Sequence, residues 1–277
     1  YLFDKDSSTP LWNYTTGNSV RSVSISADGE YIATGSQDNK LYLFGKDSST
    51  PLWSYSTGGD VFSVAISSDG EYIVAGSYDN KLYLFDKDSS TPLWSYTTGD
   101  GVRSVSISAD GEYIAVGAGS EKVYLFGKDS STPLWIYTTG GDVHSVSISA
   151  DGEYIVAGSY DNKVYLFDKD SSTPLWSHDT QGDILSVDIS ADGQYIAAGS
   201  TTHYVYLFDK DDNGGYLWAH ATGGNVFSVS ISANGEYITG SSGSKVYLWS
   251  KDSSTPLWSH TTGDYVNSIA ISADSEY

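Results

Sequence analysis

An all-β fold made from seven copies of one four-stranded antiparallel unit is predicted by three features of the 277-residue sequence. The first is periodicity. The triplet Tyr-Leu-Phe begins at Tyr1, Tyr42, Tyr83, Tyr124, Tyr165 and Tyr206 and reads Tyr-Leu-Trp at Tyr247, a constant spacing of 41 residues. The second is the content of each repeat: four short segments rich in Val, Ile, Tyr and Ser, such as DVHSVSIS, EYIVAGS, KVYLFDK and PLWSHDT, separated by Gly, Asp, Asn and Pro. The third is SADGEY, which sets Asp-Gly between two strand-like runs and so marks a hairpin, while no stretch carries a capped helical period.

Each segment has a place in the unit. In SVSIS and YIAAGS small residues alternate with larger ones, which suits first and second strands converging on a crowded axis. KVYLF is apolar at consecutive positions, so both faces of the third strand must be covered, as in a small sheet held between two neighbours. Pro10, Pro51, Pro92, Pro133, Pro174 and Pro256 open the fourth segment, and proline is tolerated only on an edge strand or at a strand's first position. That segment is the outer rim. About 40 residues per four-stranded unit, ordered from axis to rim, is the pattern of a β-propeller.

Tyr1 to Thr16 supplies a third and a fourth strand before any first strand has appeared, and YVNSIAISADSEY at the other end supplies a first strand and only the start of a second. Seven full repeats would take 287 residues, ten more than are present. The expectation is a seven-bladed β-propeller of four-stranded antiparallel blades forming one domain over residues 1–277. Its last blade would be closed by the N- and C-terminal strands, which removes exposed edges, and would lack most of one strand. With no methionine, no signal peptide and no run of about 20 apolar residues, the chain reads as a piece of a larger protein whose other domains are potential partners, and membrane insertion is not expected.

VRSVSISADGEYIATGSQDNKLYLF resembles the WD-repeat pattern, with an aromatic residue where that family has its Trp. The Trp-Asp signature itself is replaced by Phe-Asp, Phe-Gly or, at Trp249 and Ser250, Trp-Ser, and no Gly-His precedes the first strand. LFDKDSSTPLW resembles the tryptophan-docking segment of quinoprotein-type propellers (PQQ-type repeats), with Asp4 eight residues before Trp12 and Ser8 and Thr9 in place of the usual Gly-Lys. The resemblance covers all seven repeats and implies the fold, but neither family fixes a function. Quinoprotein enzymes are usually larger eight-bladed proteins with a vicinal cysteine pair; this chain has short loops and no cysteine, so no cofactor is expected.

Acidic residues outnumber basic ones 35 to 14, for a formal charge of −21, a field that repels phosphate backbones and argues against a nucleic-acid partner. The absence of cysteine excludes disulfides. His178, His220 and His260 replace a tyrosine two residues after the rim tryptophan and His203 lies in a loop, too dispersed for a metal. No nucleophile turn accompanies His144, so neither an enzyme nor a metal site is expected.

In a meander radiating from an axis the loops fall on two faces. The first-to-second turn SADGE and the third-to-fourth loop KDSST hardly change between repeats, whereas the opposite face changes at nearly every one. After the first Val or Ile of the inner strand stand Arg21, Phe62, Arg103 and His144, then Leu185, Phe227 and Asn267, with Tyr265 just before the last. Arg21 and Arg103 are the only arginines. Because Arg and aromatic side chains anchor contacts well, these residues are expected to ring the channel mouth as a binding surface for a protein segment or a small polar ligand. Three other readings compete. Asp6, Ser7 and Ser8 with Asp28 and Glu30 on the constant face could hold calcium or simply build turns. The repeated tryptophans, Trp12 to Trp258, suit a glycan-binding lectin or packing between blades. The whole could be a structural spacer or assembly module of a cell-surface protein. Ser, Thr and Tyr richness and the sequon Asn13-Tyr14-Thr15 suggest an extracellular or cell-surface setting.

Overall fold

Apolar residues that alternate with serine form the inner strands, and uninterrupted apolar runs form the third strand of each sheet. The computed structural model describes residues 1–273. β1 (Leu2–Phe3) pairs with β2 (Pro10–Trp12) in a two-stranded sheet. Six four-stranded antiparallel meanders follow in chain order. The first is β3 (Val20–Ile25), β4 (Tyr31–Ser36), β5 (Lys40–Gly45) and β6 (Trp53–Ser56); the second is β7 (Val61–Ile66), β8 (Tyr72–Ser77), β9 (Lys81–Asp86) and β10 (Trp94–Thr97). The third is β11 (Val102–Ile107), β12 (Tyr113–Ala118), β13 (Lys122–Gly127) and β14 (Trp135–Thr138); the fourth is β15 (Val143–Ile148), β16 (Tyr154–Ser159), β17 (Lys163–Asp168) and β18 (Trp176–Asp179). The fifth is β19 (Ile184–Ile189), β20 (Tyr195–Ser200), β21 (Tyr204–Asp209) and β22 (Tyr216–Ala221); the sixth is β23 (Val226–Ile231), β24 (Tyr237–Ser242), β25 (Lys245–Ser250) and β26 (Trp258–Thr261). The fold is the all-β, seven-bladed propeller type that the period predicts, with one sheet of two strands.

Two compact units divide the chain: Tyr1–Ile114 with Phe126–Thr132, and Ala115–Leu125 with Pro133–Tyr277. In the first unit, Ala33, Leu41 and Leu43 pack against Val61, Val64, Ile66, Ile73 and Phe85. In the second, Val156, Val164 and Leu166 pack likewise against Ile184, Val187 and Ile189.

One contact recurs from sheet to sheet. The indoles of Trp12, Trp53, Trp94, Trp135 and Trp176 each lie on the third-strand phenylalanine of the following repeat, with ring centroids 5.4 Å apart for Trp12 and Phe44 and 5.6 Å for Trp94 and Phe126, and Trp218 lies on Trp249 at 6.0 Å. Each indole Nε1–H donates to the lysine carbonyl two residues beyond that ring: Trp12 to Lys46 at 2.7 Å, Trp94 to Lys128 at 2.6 Å, Trp135 to Lys169 at 2.8 Å and Trp218 to Lys251 at 2.7 Å. At the inner end the hydroxyl of one strand's serine accepts the amide of the next strand's valine, as in Val64 to Ser22 at 3.1 Å and Val105 to Ser63 at 3.0 Å. These tryptophans therefore pack sheets together, as the packing reading of their spacing holds.

The constant hairpin explains itself physically. Asp28 Oδ1 accepts from Ser26 Oγ at 2.6 Å and from the Glu30 amide at 2.9 Å, and Ser26 Oγ accepts the Tyr31 amide at 3.0 Å. The Ser26 hydroxyl bond, followed by the Glu30 amide, holds the Asp28 carboxyl below its usual range. Successive turns are tied by backbone bonds, Ala27 to Ser68 and Ser68 to Ala109, both 3.0 Å. The glycine is obligatory: Gly70 has φ of 75°, and a Cβ there would stand 2.6 Å from Cδ2 of Tyr31. Of the carboxylates offered as calcium ligands, Asp28 thus fastens its turn, while Glu30 lies 3.4 Å from Lys46 Nζ and Asp6 3.3 Å from Lys5 Nζ.

Among the described residues β1 pairs with β2, and residues 265–273 form no strand. The start of a second strand expected in the last blade falls at Glu276, outside the described residues. One detail differs from expectation. His178 and His220 are not open surface residues. Each is half-buried and bonded through Nδ1, to the Gly214 carbonyl at 2.7 Å and the Ser254 carbonyl at 2.8 Å. The irregular DKDDNGGYLW segment does remodel its rim: left-handed Asn213 and Gly214 lead into β22, six residues long where β18 has four.

The indole bond and the ring contact separate experimentally. Trp94→Phe keeps a ring but orphans the Lys128 carbonyl, and should cost about 1 kcal/mol in urea unfolding; Trp94→Ala, which also empties the space, should cost about 3 kcal/mol. Equal costs would mean that the indole N–H contributes nothing.

Candidate functional site

The variable residues stand at β-bulges. In the pairing of β3 with β4 the register shifts between Val20 and Ser22, and the same shift occurs between Val61 and Ser63, Val143 and Ser145, Ile184 and Ser186, and Val226 and Ser228. The skipped residues are Arg21, Phe62, His144, Leu185 and Phe227. A bulge leaves one residue outside the ladder and re-aims its side chain, so sequence can vary there without loss of strand pairing.

Beneath them a polar knot fixes the loops. Asp38 Oδ2 accepts the Gly17 amide and the Tyr42 hydroxyl, both at 2.7 Å, and Oδ1 accepts the Lys40 amide at 3.1 Å. Asp79 does the same with Gly58, Tyr83 and Lys81, and Asp161 with Gly140, Tyr165 and Lys163. Burial opposes the charge on Asp38, but these donors outweigh it and hold the carboxyl below its usual range. Burial, then the bond to the aspartate, drives the Tyr83 hydroxyl well above the normal phenol range, so it remains a donor. In the third and fifth repeats Ser120 and Thr202 replace the aspartate and meet Tyr124 and Tyr206 at 3.4 Å.

On the first unit the bulge residues assemble into a continuous surface. The Arg21 guanidinium lies 5.6 Å from the centroid of the Phe62 ring, and Phe62 stacks on Tyr78 at 4.8 Å and 15°. Beyond Tyr78 a concavity of about 360 Å³ is lined by Tyr78, Asp100, Gly101 and Arg103. Gly101 is required at that wall: its amide donates to Asp100 Oδ1 at 2.6 Å, and a Cβ on it would stand 2.7 Å from Cδ1 of Tyr78. Nearby, Gln37 Nε2 donates to Asp60 Oδ2 at 3.1 Å. Two arginines and two aromatic rings beside two carboxylates form a surface that can grip a planar or charged group; they include no nucleophile paired with a base.

The second unit carries the other expected residues in a quieter arrangement. His144 stacks on Tyr160 at 5.1 Å and its Nδ1 bonds the Leu185 carbonyl at 2.8 Å, which ties it to the backbone. Phe227 meets Tyr265 edge-on at 6.1 Å, while Asn267 is exposed and Leu185 half-buried. Sequence reasoning missed Asp100, whose signal is only that it precedes the inner strand of an arginine-bearing repeat.

A charged residue also interrupts the inner layer. Asp188 of β19 occupies the register held by Ser147 and Ser230 in the flanking repeats. Its Oδ1 accepts from Ser147 Oγ at 2.9 Å and the Ile189 amide at 3.0 Å; its Oδ2 accepts from Ser230 Oγ at 3.2 Å and the Ile231 amide at 3.0 Å. Burial nonetheless raises its carboxyl above the usual value of 3.8 against all four donors.

Comparison with known families gives two matches. Residues 1–212 match the family described as outer membrane protein assembly factor BamB, and residues 215–250 match the WD domain, G-beta repeat. No curated protein matches the chain. The two matches meet at the irregular rim segment of the fifth sheet. Both are propeller-repeat families, typically non-catalytic, with roles in protein interaction and scaffolding. No described helix is long and apolar enough to cross a membrane.

An acid whose pKa is raised by folding favours the native state while protonated and loses that advantage as pH rises through its native pKa. Asp188→Ser, which restores the residue of the flanking repeats, should therefore raise the melting temperature relative to wild type by more at pH ~7 than at pH ~4. A constant difference across that range would show that the four donors fully offset burial.

Proposed function

We propose a non-catalytic binding and scaffold role for this chain, which belongs to the propeller family described as outer membrane protein assembly factor BamB. The reading rests chiefly on the first-unit surface of Arg21, Phe62, Tyr78 and Arg103, where the only two arginines of a chain of charge −21 stand with stacked aromatic rings. Arg and aromatic residues on a scaffold of small residues supply anchor points for a protein segment that offers an acidic or planar side chain, or for a small polar ligand of that chemistry. Asp60 and Asp100 beside them select against wholly acidic partners. His144, Leu185, Phe227, Tyr265 and Asn267 offer a second, less cationic surface on the other unit. The constant face, whose turns are bonded to one another, serves as framework. No metal or cofactor takes part in this reading, and a place at the cell envelope or cell surface suits the family and the sequon.

Peptide display selected on the wild-type protein tests the assignment. Selected peptides should be enriched in Asp, Glu or aromatic residues and should lose about tenfold or more in affinity for Arg21→Ala/Arg103→Ala, whose melting temperature stays near wild type. Peptides that bind the double variant equally well would remove the site from this surface.

A further inference from the structure

The order of two residues is exchanged in one loop of the first unit. Between the rim strand and the next inner strand, the second, fourth and fifth repeats place Gly59-Asp60, Gly141-Asp142 and Gly182-Asp183, whereas the third places Asp100-Gly101. The exchange has two physical effects. It moves the carboxylate back along the chain, where Asp100 is exposed, and it leaves no side chain at the buried position next to β11. In the second repeat that position is filled, since Asp60 Oδ2 accepts from Gln37 Nε2 at 3.1 Å. In the third, Tyr78 stands at the repeat position of Gln37, and its ring lies over the glycine, with Cδ1 2.7 Å from where a Cβ on Gly101 would be. Arg103 likewise stands at the repeat position of Phe62. These exchanges together leave the concavity of about 360 Å³ bounded by Tyr78, Asp100, Gly101 and Arg103.

We propose that this concavity binds a free α-amino acid, a reading that rests on the binding role assigned above and narrows it. A space of that size suits a small molecule rather than a peptide segment. Its walls carry one charge of each sign. A singly charged ligand meets its own sign there: an anion faces Asp100 in a chain of net charge −21, and a cation faces Arg103. A zwitterion with its ammonium at Asp100 and its carboxylate at Arg103 avoids both penalties. Asp100 Oδ1 is taken by the Gly101 amide at 2.6 Å, while Oδ2 accepts nothing among the described residues and can receive an ammonium proton. The guanidinium offers a planar fork that matches a carboxylate. An α-amino acid carries both groups on one carbon, so a single small molecule answers both walls. Tyr78, 42% exposed, gives the side chain of that molecule an aromatic surface, which favours aromatic and aliphatic amino acids over charged ones.

Saturation-transfer NMR of the 277-residue chain with the free protein amino acids, followed by calorimetric titration of those that bind, tests this. Aromatic or aliphatic amino acids should bind with dissociation constants below ~10 mM, and the tightest should lose about tenfold or more both as its N-acetyl derivative, which keeps only the carboxylate, and as its decarboxylated amine. Asp100→Ser, at an exposed position where the melting temperature should stay near wild type, should weaken the amino acid about tenfold without weakening the N-acetyl derivative. Gly101→Ala, whose methyl group meets the Tyr78 ring, should abolish binding. The proposal is overturned if no amino acid binds below ~10 mM, if either singly charged derivative binds as tightly as the parent, or if Asp100→Ser leaves the affinity unchanged. Displayed peptides that require Arg21 and Arg103 uphold the wider surface even where amino acids fail to bind, so the two readings fall separately.

Discussion

The structure depends on one contact made again and again: an indole laid on the next repeat's aromatic ring, with its N–H on the backbone two residues further. It satisfies three demands together. It buries the largest side chain of the repeat where neighbouring sheets diverge toward the rim, it provides a partner for the indole's polar group, and it fixes the height of one sheet against the next by a directional bond. The serine-to-amide bonds do the same at the inner end. A sheet pinned at both ends has little freedom to slide, so loops are carried at set positions without long insertions.

That rigidity separates framework from variation. The hairpins on one side are consumed by their own hydrogen bonds and by bonds to neighbouring turns, so Ser26, Asp28 and Gly70 and their equivalents are held to one chemistry. On the other side a bulge lifts one side chain per sheet out of the ladder, and an aspartate knot beneath it carries the geometry in its place. Arg21, Phe62 and His144 can therefore differ while the backbone below them does not.

Much of this was legible in the sequence because its period made the chain its own alignment. Strand type followed from alternation against continuous apolar runs, and the bulge residues were picked out by variability at a fixed offset. What was not legible is where two repeats meet in space. The exchange of Asp38 for Ser120 shows as a substitution, but the knot it belongs to joins segments 21 residues apart. Histidine in place of Tyr55 looked like surface chemistry until its nitrogen was found on the backbone of the following loop.

The uniformity of the repeat has a kinetic side. Each meander forms from contacts close in sequence, so individual sheets should fold quickly, but a nascent sheet meets several near-identical docking faces rather than one. Discrimination must then come from the few places where copies differ. Asp188 is such a place: its carboxylate is accommodated only between Ser147 and Ser230, so a fifth sheet docked out of order would strand a charge without donors. A residue that looks like a flaw in the inner layer thereby acts as an address label, ranking one order of assembly above its look-alikes.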